Sequence, residues 1–144
     1  KKIINELKDL KVKLKLISDG DISGALLITD DKYNVDLFLG VGGGPEGVLA
    51  ASALDAYNCY FQGKFLFDSE KDKLRAGKMG IKDLNKKYEL KEIISGDSIF
   101  CATGITTGDL VSGIKIKNDE FISETFITHK SSGLKKVIQT KQKI

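Results

Sequence analysis

Tryptophan is missing from this chain of 144 residues, and histidine, methionine, arginine and proline each occur once. The lone His129 and the widely separated Cys59 and Cys101, with no CxxC between them, cannot assemble a structural zinc site. Both cysteines therefore read as small buried apolar residues. Long apolar runs are lacking too: no stretch approaches the ~20 residues of a membrane span, and the Lys-rich start has no signal-peptide core. A cytoplasmic protein without membrane contact is expected.

Charge of one sign is also scarce. Lys and Arg number 23 against 20 Asp and Glu, a net charge of +3. The excess lies at the ends, where residues 1–15 hold six Lys and residues 130–144 hold five, around an acidic middle. With Arg75 the only arginine and no basic face interleaved with aromatics, nucleic acid is not an expected partner. A chain of this length buries roughly 70% of the surface it exposes when unfolded, so one domain over residues 1–144 needs no disulfide.

What is present is a sequence of short elements. Ile3, Ile4, Leu7 and Leu10 form one helical stripe that begins without an N-cap, as expected of a chain cut from something longer. Val12 to Ile17 alternates like a strand and runs into Ser18-Asp19-Gly20-Asp21. Ile22 to Ile28 predicts a helix, Asp30–Asn34 a turn, and Val35 to Val41 a buried strand ending in Gly40-Val-Gly-Gly-Gly-Pro-Glu-Gly47. Small-residue helical material follows, with Pro45 suited to its first position. Strand, turn, helix, strand, glycine turn and helix together predict an open α/β sheet with crossover connections, whose ligands lie beyond the carboxyl ends of the strands.

Farther on, Lys64 to Phe67 predicts a strand and Ser69 with Asp72 a capped helix start. Ser98–Ala102 predicts another strand, and Gly104 to Asp109 a Gly/Thr turn facing the same side as the first two turns. From Gly113 onward strands are expected, with turns at Lys117–Glu120 and Ser131–Gly133. Tyr57, Tyr60 and Phe61 read as core packing around a helix end, and His129 as an edge-strand residue without a partner in any recognisable order.

Two motifs carry chemistry. Asp19-Gly20-Asp21 sets two carboxylates at a strand end, able to hold sugar hydroxyls or a hard cation, although Asp-Gly-Asp is also an ordinary turn. Gly42, Gly43 and Gly44 let a ligand approach the backbone at a helix start, a place that attracts phosphate. Glu46 favours the helix dipole yet repels a phosphate unless a cation lies between them, which is the arrangement of metal-assisted phosphoryl transfer. The same loop satisfies G-x-G-x-x-G, and Asp68 stands where a ribose-binding acid belongs, so a dinucleotide site is the rival reading.

Taken together, Ile17-Ser-Asp-Gly-Asp21, the Gly40–Gly47 loop with its Ala-rich helix, Phe100-Cys-Ala-Thr-Gly-Ile-Thr-Thr-Gly-Asp-Leu110, Glu124-Thr125 and Ser131-Ser132-Gly133 resemble the class II fructose-1,6-bisphosphatases. The resemblance implies the lithium-sensitive sugar-phosphatase fold, of which this chain looks like the carboxyl-terminal portion. That portion is expected to be α/β, a layered sheet with helices on both faces ending in antiparallel strands. The resemblance further implies that Asp19, Gly20, Asp21 and Gly43 bind the sugar bisphosphate and that Glu46 is a catalytic ligand of Mn²⁺ or Mg²⁺. The implied reaction releases the 1-phosphate of fructose 1,6-bisphosphate, with sedoheptulose 1,7-bisphosphate as a similar substrate. The family's Asp-Pro-Ile-Glu-Gly-Thr type motif and basic phosphate clamp are absent from this sequence. The isolated chain is therefore expected to be silent, with the missing amino-terminal half of the enzyme and further copies of itself as partners.

Overall fold

The computed structural model describes residues 2–17 and 21–144, and of Asp21 the backbone alone. Helix α1 (Lys2–Asp9) follows from the predicted stripe, but none of its residues is buried. It closes at Lys11, which takes a positive φ of 56°.

Val12–Ile17 belongs to no ladder among the described residues, and the same holds for residues 35–41, where Leu37, Leu39 and Val41 are 76, 63 and 74% exposed. Both expected strands are thus corrected. Alternation and β-branching make a chain extended, but a strand also needs a neighbour for its N–H and C=O groups. Every ladder among the described residues is antiparallel, so the expected crossover sheet does not form from these segments.

Helix α2 (Asp21–Leu26) runs into a 3₁₀ turn, Leu27–Thr29, and a second one, Asp31–Tyr33, whose start is capped by the Asp30 carboxylate accepting from the Lys32 amide. Helix α3 (Gly44–Asp55) buries Ala50, Ala51, Ala53 and Leu54. Ala25 and Leu26 of α2 share a cluster with Ala50, Ala53 and Leu54, because small side chains allow the two helices to approach closely. Two three-residue strands, β1 (Gln62–Lys64) and β2 (Lys87–Glu89), pair with each other. Between them α4 (Glu70–Lys78) begins as predicted, its Ser69 hydroxyl accepting from the Asp72 amide at 3.2 Å. Short α5 (Leu90–Ile93) follows β2.

The second sheet holds β3 (Ile99–Thr103), β4 (Lys115–Lys117), β5 (Glu120–His129) and β6 (Leu134–Lys143). Strand β5 is central, pairing with β3 and β4 along one edge and β6 along the other. Asn118 and Asp119, both at positive φ (52° and 58°), make the two-residue hairpin turn whose twist matches the strands it joins. One face of this sheet is closed by α3. Phe100 and Phe126 meet edge to face at 6.3 Å within that core, and the buried Thr128 hydroxyl donates to the Ala53 carbonyl at the end of α3. Cys59 is half-buried against the core, but Cys101 is exposed on the opposite face, contrary to expectation. Tyr57 and Phe61 pack on the core as expected, while Tyr60 is 77% exposed.

Candidate active-site loop

The glycine loop delivers Glu46 to the first turn of α3. Gly43 is the N-cap, at φ −68° and ψ 155°; Gly44 opens the helix and Pro45 follows, one position later than expected. The first helical bond runs from the Gly47 amide to the Gly43 carbonyl at 3.1 Å. The φ of Gly43 suits any residue, so conformation does not require glycine there. Space does, because a Cβ on Gly43 would collide with the Glu46 carboxylate oxygen Oε2, which folds back over the loop. Glu46 is exposed, and among the described residues no lysine or arginine forms an ion pair with it. Its carboxylate is therefore an available oxygen donor, the kind a hard divalent cation takes. Among the described residues no group of three or more metal-binding side chains converges.

Asp19 and Gly20 lie outside the described residues, and Asp21 is placed only as the start of α2. Their neighbours are informative. A Cβ on Gly24 of α2 would strike the side chains of both Ile17 and Phe38, and one on Gly40 would meet the Phe38 ring at 2.8 Å. The residue leading into the Asp-Gly-Asp turn and the segment leading into the glycine loop thus lie against the same helix.

The third motif joins them. Lys15 Nζ contacts Asp109 Oδ2 at 3.2 Å, and the Tyr33 hydroxyl donates to the Asp109 carbonyl at 2.7 Å. The loop from Gly104 to Gly113 is held from within by Glu124, whose carboxylate accepts from the Ser112 amide at 2.8 Å while its carbonyl accepts from the Gly104 amide. That amide bond, then the Ser112 side chain, lowers the Glu124 pKa. Gly104 and Gly113 are both buried, and a Cβ on either would run into loop backbone. Glu124 was noted in the sequence only as part of a resemblance; its role as the loop's anchor follows from the sheet register.

A separate cluster, missed by sequence, surrounds His129. Its Nε2 lies 2.7 Å from Asp97 Oδ2 and 2.9 Å from Ser131 Oγ, and its Nδ1 2.8 Å from Ser132 Oγ. The Ser131 hydroxyl, then His129, lowers the Asp97 pKa. This corrects the reading of an unpartnered histidine.

The dinucleotide reading fails on this geometry. Its βαβ unit needs parallel strands flanking the glycine loop, whereas the segment before the loop is unpaired and the strand before Asp68 ends at Lys64 in an antiparallel pair.

Residues 1–142 match the family described as bacterial fructose-1,6-bisphosphatase, glpX-encoded. The chain belongs to that family. Among its relatives, proteins named D-fructose 1,6-bisphosphatase class 2/sedoheptulose 1,7-bisphosphatase are 31% identical in Synechococcus sp. (strain JA-3-3Ab), over 96% of this chain and 44% of the relative. The one from Trichodesmium erythraeum is 35% identical over 80% of this chain and 37% of the relative. That from Thermosynechococcus vestitus is 36% identical over 78% of this chain and 37% of the relative. The chain thus spans less than half the length of these relatives. Among its described residues no helix is long and apolar enough to cross a membrane.

Proposed function

We propose that this chain is the carboxyl-terminal portion of a metal-dependent phosphatase, one α/β domain of a cytoplasmic enzyme that hydrolyses the 1-phosphate of fructose 1,6-bisphosphate. The products are fructose 6-phosphate and inorganic phosphate. The observation that carries the reading is the Glu46 carboxylate folded over Gly43 at the start of α3, without an ion-pair partner among the described residues. In this reading Glu46 is one ligand of a Mn²⁺ or Mg²⁺ ion, and the remaining carboxylates come from the rest of the enzyme. The ion supplies charge neutralisation at the phosphoryl oxygens. Asp19 and Asp21 orient sugar hydroxyls, with Gly20 allowing the turn between them, and the bare backbone at Gly43 admits the substrate to near-attack distance. In the complete enzyme the sheet carries helices on both faces.

The relatives' names also contain sedoheptulose 1,7-bisphosphatase, and its substrate has the same phosphate ester at the scissile end. It is the second substrate to assay. The test is phosphate release with Mn²⁺ from the full-length enzyme and from residues 1–144. Turnover by the full-length enzyme and none by the short chain is expected. A silent full-length enzyme overturns the activity, and turnover by residues 1–144 overturns the assignment of this chain as an incomplete portion.

A further inference from the structure

Asp109 touches both flanks of the Asp-Gly-Asp turn. The chain enters that turn through residues 12–17 and leaves it through α2 and the 3₁₀ turn Asp31–Tyr33. On the entry side Lys15 donates from Nζ to Asp109 Oδ2 at 3.2 Å, and on the exit side the Tyr33 hydroxyl donates to the Asp109 carbonyl at 2.7 Å. One residue thus grips two segments that stand 94 and 76 positions away from it in the sequence. Asp109 can act as a fixed point because its own loop is fixed. Leu110 and Val111, next along the chain, pack against the core. The Gly113 amide donates to the Thr107 hydroxyl at 3.0 Å and the Ile114 amide to the Ile105 carbonyl at 3.2 Å, while Glu124 ties the loop to β5. Residues 12–17, by contrast, have no ladder partner among the described residues, so side-chain ties of this kind set where they lie.

We propose that Asp109 is a positioning residue for the sugar bisphosphate, acting through Lys15 and Tyr33 to fix the chain's approach to Asp19 and its departure from Asp21. The inference rests on the functional reading above, which gives those two carboxylates the sugar hydroxyls to hold. Asp109 itself touches no reacting atom in this account. Its effect is preorganisation: without the two ties the turn is ordered at the moment of binding, and the affinity for substrate carries that cost. The size of the effect follows from exposure. The Lys15 and Asp109 side chains are 50 and 56% exposed, so their tie changes an equilibrium by no more than about fivefold. A substrate KM is sensitive enough to read that, whereas the chemical step, which depends on Glu46 and the ion, is left nearly alone.

The test uses the full-length enzyme with Mn²⁺, assayed for phosphate release from fructose 1,6-bisphosphate. Asp109→Ala should raise KM about two- to fivefold and lower kcat by less than about a factor of two, with Mn²⁺ affinity by isothermal titration unchanged. Adding Tyr33→Phe should bring the rise in KM to about tenfold. Adding Lys15→Ala to Asp109→Ala should change nothing further, because both remove the same tie. Asp109→Asn, which still offers an oxygen to Lys15, should lie closer to wild type. Hydrogen exchange should quicken at residues 12–17 in Asp109→Ala and at residues 31–33 in Tyr33→Phe. Should Asp109→Ala fail to fold, Lys15→Ala and Tyr33→Phe decide by the same split between KM and kcat. Losses in kcat and Mn²⁺ affinity as large as the change in KM would mark a merely structural role and overturn the proposal. An active wild-type enzyme whose variants keep its KM removes the role of Asp109 and leaves the function. A wild-type enzyme that releases no phosphate removes the functional reading and this role with it.

Discussion

The Glu46 carboxylate occupies the space that a β-carbon on Gly43 would fill. Because the Gly43 backbone is extended and unstrained, Gly43→Ala should leave the fold intact, with thermal stability changed by less than about 1 kcal/mol. The end of a glutamate side chain moves easily, so the carboxylate swings away instead. Weaker Mn²⁺ binding by the full-length enzyme, read by isothermal titration, is the expected outcome. Unchanged affinity would mean that the folded-back position has no part in holding the ion.

Glu46→Gln keeps the shape and removes the charge. Loss of a metal ligand costs several kcal/mol of transition-state stabilisation, so phosphate release should fall roughly 10²–10³-fold with circular dichroism unchanged. Activity within a factor of about three of wild type would take Glu46 out of the site.

Some of this fold was legible locally and some was not. The Ser69 cap, the turn at Asn118-Asp119 and the apolar strand depend on residues within a few positions; the first two stand where expected, and the strand expected at Ser98–Ala102 forms one residue later, at Ile99–Thr103. Residues 12–17 and 35–41 were misread because alternation is a local property and pairing is not. The Glu124 grip on Ser112 spans 12 positions and the His129–Asp97 contact 32, and both are created by the register of β5 with its neighbours. The glycine loop was legible because close approach at Gly43 demands a residue type, which a sequence records. Whether Asp19 and Asp21 meet Glu46 depends on long-range packing, and local spacing carries no information on that.

Gly24→Ala tests whether Ile17 and Phe38 share the surface of α2. The added methyl overlaps both side chains, and overpacking of this kind costs about 1–3 kcal/mol. Chemical denaturation should show that loss, together with reduced activity of the full-length enzyme, because the segments leading into both the Asp-Gly-Asp turn and the glycine loop must shift. Full stability would contradict the packing.

Lys130 Nζ meets the buried Asp55 carboxylate at 2.6 Å, tying the β5–β6 turn to the end of α3. Lys130→Ala leaves that carboxylate buried without its partner, a change that costs roughly 3–5 kcal/mol in a fully buried pair. With Lys130 itself partly exposed, a loss of about 1–3 kcal/mol is expected by urea denaturation. The double variant with Asp55→Asn should recover part of it.

The Glu124 pKa is lowered by the Ser112 amide, so its contribution is complete above the ordinary glutamate value, about 4.3, and is lost as pH falls through the lower folded value. Hydrogen exchange at the Gly104–Gly113 loop should therefore accelerate as pH drops below about 4, after correction for intrinsic rates. Glu124→Gln should remove that dependence.

The account turns on Glu46 touching the metal, and the most direct measurement is anomalous diffraction from crystals of the full-length enzyme loaded with Mn²⁺ and fructose 1,6-bisphosphate. The predicted result is a Mn²⁺ peak about 2 Å from a Glu46 carboxylate oxygen, with the sugar bisphosphate against Gly43. A fully occupied metal site with Glu46 turned to solvent, and the sugar remote from the glycine loop, would contradict it.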